Sequence, residues 1–398
     1  MNFEISPRST HLPSEISFGT GQSVHNDRPI RRSQRLAKTF KKAIFGVSPR
    51  EVSFDRRGFV GGTPAVRARL EHIAATFLAG YHAGLQADAP EHLPQSIAAV
   101  DDTHRGFAVE GAAMAFAALD AAPQMLPLPI RLRRGPLAAD RFRRFLDGPG
   151  EPYLYMSIVG AGGVLHRLPP IDVDRMADRL HPLFGWLAVD GFGFHYGLFD
   201  TADAFESQRR PRRVRSAAAR QAFDQGLGRV LWFASVADPR RVAERIEGFD
   251  PSRRDDLWSG VGLAACYACG TDHEALAALR RAAGDHRVSL AQGATFAAEA
   301  RRRGGFVPEH SEMACRILTG LPVGEAATIT DTTRPALDAT VPPGDTLYQT
   351  WRRWIREALA TEPRTGLAPL PTSMMSPSMT PAYVTSSGGA ALRVGSPR

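Results

Sequence analysis

Seven times along this chain a glycine falls inside a run of small and apolar residues that otherwise reads as helix. The runs are FLAGYHAGL at Gly80, AVEGAAMAF at Gly111, SIVGAGGVL at Gly160, FHYGLF at Gly197, FDQGLGRVLWF at Gly226, LWSGVGLAACYA at Gly260 and LAQGATFAAEA at Gly293. A glycine in a helix interior costs about 1 kcal/mol relative to alanine, so seven of them need a compensating gain. Close approach of neighbouring helix backbones is the simplest one. Successive gaps are 31, 49, 37, 29, 34 and 33 residues, and the last two have the size of a helical-hairpin repeat. Between these runs, Pro239 to Phe249 and Asp272 to Ala283 carry apolar residues at helical spacing, with Asp238 and Thr271 as expected N-caps. Each repeat is then an outer amphipathic helix followed by an inner Gly/Ala helix. The predicted fold class is mostly α: stacked helical hairpins, an α–α repeat of solenoid or toroid-like kind. A mixed α/β fold, with the glycine runs at strand–turn junctions, is the alternative. SIVGAGG would then be a phosphate loop, but no G-x-G-x-x-G and no Walker lysine follows it.

Composition sets the limits of the folded body. Residues 1–33 are polar, basic and aperiodic, and residues 363–398 are rich in Pro, Ser, Thr, Met and Gly, so both are expected to be disordered. The helical-repeat domain is expected over 34–362. Its first segment, 34–45, spaces Leu36, Phe40 and Ile44 as one helical stripe among lysines. Packing onto the core is the expected role, and peripheral membrane contact stays open as the alternative. No apolar stretch reaches membrane-span length, and the chain is expected to be cytoplasmic. Net charge is +8, but residues 1–50 carry nine Lys/Arg against three Asp/Glu, so the remainder is only +2. That balance, with no recognised motif, argues against nucleic-acid binding. The cluster Arg209, Arg210, Arg212, Arg213 and Arg215 reads as a solvated loop.

The residues next to the glycines carry the functional question. Glu110, Tyr196, Gln225, Ser259 and Gln292 precede five of the seven repeat glycines, whereas Ala79 and Val159 precede the other two. Polar groups at equivalent positions of stacked helices would share one face and line a groove. The candidate groove is Arg105, Glu110, Asp190, His195, Asp224, Gln225, Arg229, Trp258, Ser259 and Gln292, with Asp255 and Asp256 nearby. The competing reading is a structural network in which these groups satisfy one another and fix the repeat register.

Other motifs point less far. Cys266-x-x-Cys269 invites a metal or redox site with His310 and Cys315, but both cysteines are expected inside an inner helix as alanine-sized packing. Asp101-Asp102 begins like an aspartate-rich diphosphate motif and lacks its third acid, so an N-cap for the helix around Glu110 is the expected role. His195, in DGFGFHYGLF, has the chemistry of a general base or haem ligand, and a hydrogen-bonded core histidine is the plainer reading. No nucleophile elbow, H-E-x-x-H or assembled triad is present, so no metal, cofactor or enzyme class is assigned.

Taken together, EVSFDRRGF at 51–59, RGFAVEGAAMA at 105–115, DGFGFHYGLF at 190–199, AFDQGLGRVLWF at 222–233, DLWSGVGLA at 256–264, LAQGATFAAEA at 290–300 and EHSEMAC at 309–315 resemble the UnbL-type bacterial domain-of-unknown-function family associated with enediyne polyketide biosynthesis clusters. The resemblance covers about residues 44–358. It implies an accessory or tailoring protein of specialised-metabolite biosynthesis, whose groove would take a polyene-like or carrier-bound ligand. A polyketide synthase, a carrier protein and other biosynthetic proteins are the implied partners. A non-catalytic helical-repeat module that assembles such enzymes is the alternative, and a terpenoid-type enzyme using Asp101 and Asp102 is the weaker third.

Overall fold

The computed structural model describes residues 46–122, 140–168 and 171–361, so the expected disordered ends and the 34–45 helix lie outside the described residues. Among the described residues the chain is helical, without a strand. Besides short single turns, its helices are α1 (Pro64–Gln86), α2 (Asp102–Ala121), α3 (Arg141–Leu146), α4 (Leu154–Gly162), α5 (Val173–Leu180), α6 (Trp186–Phe199) and α7 (Ala217–Ala234). They continue with α8 (Pro239–Glu247), α9 (Pro251–Tyr267), α10 (His273–Ala282), α11 (Arg287–Arg303), α12 (Glu309–Thr319), α13 (Val323–Thr332) and α14 (Leu347–Thr361). Within the span expected as one domain lie two compact units. The first holds residues 46–56 and 71–168, the second residues 57–70 and 171–361.

In the second unit the glycines explain the stacking of α6, α7, α9 and α11. A Cβ on Gly226 would fall on the carbonyl oxygen of Asp190, one on Gly260 on that of Gln225, and one on Gly293 on that of Ser259. In the other direction, a Cβ on Gly193, Gly228 or Gly262 would meet the carbonyl of Phe223, Leu257 or Leu290. All these separations fall under 3.0 Å, which real Cβ atoms essentially never show. Phe192 of α6 meets Phe223 of α7 and Phe194 meets Phe233, while Asp255 of α9 meets Ser289 of α11 and Tyr267 meets Arg301, so contact positions rise together and these inner helices run parallel. In α7 and α9 the repeat is therefore a four-residue motif: any residue, a glycine facing the preceding inner helix, a spacer, and a glycine facing the next. It reads DGFG at 190–193, QGLG at 225–228, SGVG at 259–262 and QGAT at 292–295. The last copy has Thr295 in place of the second glycine. This corrects the register at α6: the repeat glycine is Gly191, preceded by Asp190, rather than Gly197 preceded by Tyr196.

Parallel neighbours require a return path, which α8, α10 and α12 supply. Each buries an apolar stripe at helical spacing: Val242 and Ile246, Leu276 and Leu279, and Ala314 with Ile317 and Leu318. α8 packs on α10, and α10 on α12, as an outer layer. The Asp238 carboxylate caps α8 by accepting from the amides of Arg240 and Arg241 at 2.9 and 3.3 Å. The cap of α10 is Asp272, accepting from the Ala275 amide at 2.9 Å, one residue beyond the expected Thr271. Asp has the better geometry there because its side chain reaches the N3 amide while its backbone is still extended.

The first unit uses the same device on α1, α2 and α4. A Cβ on Gly80 would strike Ala108, one on Gly111 the Phe77 carbonyl, and one on Gly160 the Glu110 carbonyl. His72 meets His104, Gly80 meets Ala108 and Gly84 meets Ala112 and Ala115, so α1 and α2 also run parallel and in backbone contact. Leu78, Tyr81 and Leu85 of α1 meet Met114, Ala115, Ala118 and Ala121 of α2 in an apolar core that Val164 completes.

Candidate functional site

The position before each repeat glycine in the second unit carries a polar side chain, and the parallel stacking brings all four together. Asp190, Gln225, Ser259 and Gln292 are each fully buried. Gln225 Nε2 donates to Asp190 Oδ2 at 2.7 Å. The Ser259 hydroxyl lies 3.2 Å from Gln225 Oε1 and 2.9 Å from Gln292 Oε1. Its single proton serves only one of them at a time. Arg229, one turn beyond Gln225 on α7, donates from Nη1 to Asp190 Oδ1 at 2.7 Å and neutralises that carboxylate.

Among the described residues, α14 lies on the ladder. Tyr348 Oη accepts from Gln225 Nε2 at 2.9 Å. Gln349 donates to the Ala218 carbonyl at 3.2 Å, and Trp351 donates to the Thr330 carbonyl at 2.9 Å. Arg352 donates from Nε to Gln292 Oε1 at 3.3 Å and pairs through Nη1 with Asp256 Oδ1 at 2.8 Å. One amphipathic helix thereby touches α7, α9, α11 and α13. Burial pushes the Asp256 carboxyl up from 3.8 to about 6, with Asp224 adding to the rise and Arg352 opposing it. Burial likewise drives the Tyr348 phenol far above its ordinary range, and lowers Arg356 on the same helix to about 10. The structural network thus accounts for Asp190, Gln225, Arg229, Ser259 and Gln292.

The remaining candidates separate from it. Asp224 belongs to a second buried cluster, where Arg253 binds it through two bonds of 3.0 and 2.8 Å. Arg210 adds a bond of 3.0 Å and a second, shorter one. Arg253 also donates to the Gln208 carbonyl at 2.8 Å, so Asp224 anchors the loop between α6 and α7. That arginine loop is accordingly not simply solvated: Arg213 stacks over the Phe192 ring at 4.4 Å. His195 is buried beside Phe194 and Phe199, parallel to the latter at 6.0 Å, and Trp258 is buried in the core. Arg105 and Glu110 sit on α2 of the first unit. Arg105 pairs with Asp102 and donates to the Val100 carbonyl at 3.1 Å, and Glu110 is buried. Asp255 turns outward to His286 and Ser289.

The cysteines follow a different geometry from the expected one. Cys266 is in α9, but the helix ends at Tyr267, and Cys269 stands beyond it in left-handed backbone at φ +54°. Its carbonyl accepts from the Trp232 indole at 2.6 Å. All three thiols are buried. A hydrogen bond from the Cys266 thiol to Cys315, together with burial, pushes Cys266 well above its ordinary range, and burial raises Cys269 likewise. Asp101 is the N-cap of α2, its Oδ1 accepting from the His104 amide at 3.2 Å. Burial works to raise that carboxyl, and the hydrogen bonds from His104 outweigh it and lower it.

Sequence reasoning missed Tyr348, Gln349, Arg352 and Arg253. The available signal was YQTWRRW, where Tyr348, Trp351, Arg352 and Ile355 fall on one face at helical spacing. No described helix is long and apolar enough to cross a membrane. Comparison with curated proteins and with solved structures gives no match. The sequence profile of one family matches residues 36–359, and the chain belongs to that family, DUF1702, described as a protein of unknown function.

Proposed function

We propose that this chain is a cytoplasmic, non-catalytic helical-repeat module that helps assemble the enzymes of a bacterial specialised-metabolite pathway. The UnbL-type resemblance supplies the setting, with a polyketide synthase or carrier protein of an enediyne-type cluster as the implied partner. The observation that carries the reading is α14. Its aromatic, amide and guanidinium groups bind the polar face of the inner helices, so that face holds a helix of its own chain. Recognition of an amphipathic helix is what such a surface does chemically.

A second reading keeps the tailoring role, with a polyene-like or carrier-bound ligand held beside the ladder. Two buried donors favour it: Gln292 Nε2 and Arg352 Nη2 have no acceptor among the described residues. To separate the two, the chain from a producing host is mixed with the purified synthase and carrier protein encoded beside it. Sedimentation then reads complex formation, and mass spectrometry of the denatured chain reads any released small molecule. The module reading expects a complex of defined stoichiometry and no small molecule. A released polyene or acyl chain without a protein complex overturns it in favour of the second.

A further inference from the structure

The first unit holds a group of side chains that neither the ladder nor the proposed function uses. His72 of α1, Asp101 at the N-cap of α2 and His104 in the first turn of α2 bring one ligand atom each within 4.8 Å of one another. The two imidazole rings meet edge to face with centroids 4.6 Å apart. His104 Nδ1 lies 2.9 Å from each oxygen of Asp101. An N-cap needs only one carboxylate oxygen on a backbone amide, so capping does not explain why two histidines gather there.

We propose that His72, Asp101 and His104 form a binding site for a divalent first-row transition cation of the zinc type. Two imidazoles and one carboxylate are a ligand set that suits such ions, and three protein ligands leave further positions for water. Ligand atoms around a tetrahedral zinc stand about 3.3–3.6 Å apart, given metal–ligand distances near 2.0–2.2 Å. The Asp101–His104 pair is already at 2.9 Å, and His72 closes the remaining gap by rotating an exposed side chain. The scaffold is rigid where it matters. Gly80 against Ala108 and Gly111 against Phe77 lock α1 and α2 in backbone contact, which fixes His72 opposite His104. Arg105 does not compete for the carboxylate, because its charge is matched by Asp102. Exposure of His72 and Asp101 gives the ion a path from solvent.

The test uses the tag-free full chain, stripped with a chelator and titrated with Zn2+ by calorimetry and with Co2+ by visible absorption. Saturable 1:1 uptake of Zn2+ is expected, with a Co2+ spectrum of nitrogen and oxygen ligation. His72→Gln, at an exposed position away from the cap, should weaken binding at least thirtyfold. Asp101→Asn keeps a capping side chain and should leave the apo melting temperature unchanged while weakening Zn2+ at least tenfold. Absence of saturable uptake, or uptake that survives His72→Gln, overturns the proposal. So does a thiolate-to-cobalt charge-transfer band, which would place the ion on the cysteines. A Zn2+ affinity unchanged in Asp101→Asn would leave the carboxylate as a cap only and overturn the three-ligand site.

Discussion

The two units use one packing device and fill it differently. In both, glycines let parallel helices touch backbone to backbone. In the first, the residues whose carbonyls or neighbours meet these glycines are Phe77, Glu110 and Val159, a mostly apolar series. In the second, the equivalent residues are Asp190, Gln225, Ser259 and Gln292, which hydrogen-bond in succession and recruit α14. The difference separates two jobs of a repeat. Glycine sets how close the helices come, and the preceding residue sets what covers the face they create. Where that residue is apolar, ordinary core packing closes the seam. Where it is polar, closure needs a partner helix that carries matching donors, acceptors and charge.

The comparison can be broken first at Arg352. Arg352→Ala leaves the buried Asp256 carboxylate without its cation, a type of change that costs about 3–5 kcal/mol. Urea unfolding of this variant should show a much lower midpoint. An unchanged midpoint would mean that α14 contributes little to closing the second unit.

The shared device is tested next. Gly260→Ala and Gly111→Ala both push a methyl into a backbone carbonyl of the neighbouring helix, and each should lose about 1–3 kcal/mol. Gly260→Val should lose more. A rise in stability for either alanine variant would show that its two helices are not held in contact. If only one of the two is destabilised, the units do not share the device.

The polar filling of the second unit also has a pH signature. The Asp256 carboxyl is raised to about 6 in the folded chain from an ordinary value of 3.8, so folding favours its protonated form. Its contribution is fully present below about pH 4 and is lost as pH rises through 6, on the order of 1–3 kcal/mol. Asp256→Asn should flatten the stability profile between pH 4 and 6 relative to the parent. A profile of unchanged slope would assign the titration to another group.

The smallest effect has the opposite sign. Gly324 in the first turn of α13 has ordinary helical backbone, and an added methyl there would meet nothing within 4 Å, so Gly324→Ala should gain up to about 1 kcal/mol. Differential scanning calorimetry of Gly324→Ala beside Gly260→Ala gives the sharpest contrast between an exposed glycine and a packed one.

Much of this architecture was legible in the chain itself. The glycines inside small-residue helices, the amphipathic stripes of α8 and α10, and Asp238 as a cap are local patterns, and local patterns survive in sequence. The register at α6 was misread because GFGFHYG offers three glycines, and only the helix on the other side reveals that Gly191 and Gly193 are the equivalents. The candidate site was half legible for a related reason. Gln225, Ser259 and Gln292 announce themselves by their place before a glycine. What they bond to is set by Tyr348 and Arg352, more than a hundred residues from Gln225.

What the sequence determined by itself was therefore the kind of element and its spacing. Helical periodicity and the cost of an isolated glycine act within a few residues, so they dictate inner and outer helices before any tertiary contact forms. Only the tertiary structure decided that α14 lies on the polar face, that Asp224 anchors an arginine loop, and that His72 stands beside His104. Each of these depends on side chains from distant segments meeting at about 3–5 Å. Periodicity along one helix cannot encode that meeting, because it is fixed by how helices stack and which donors are left to satisfy once they do.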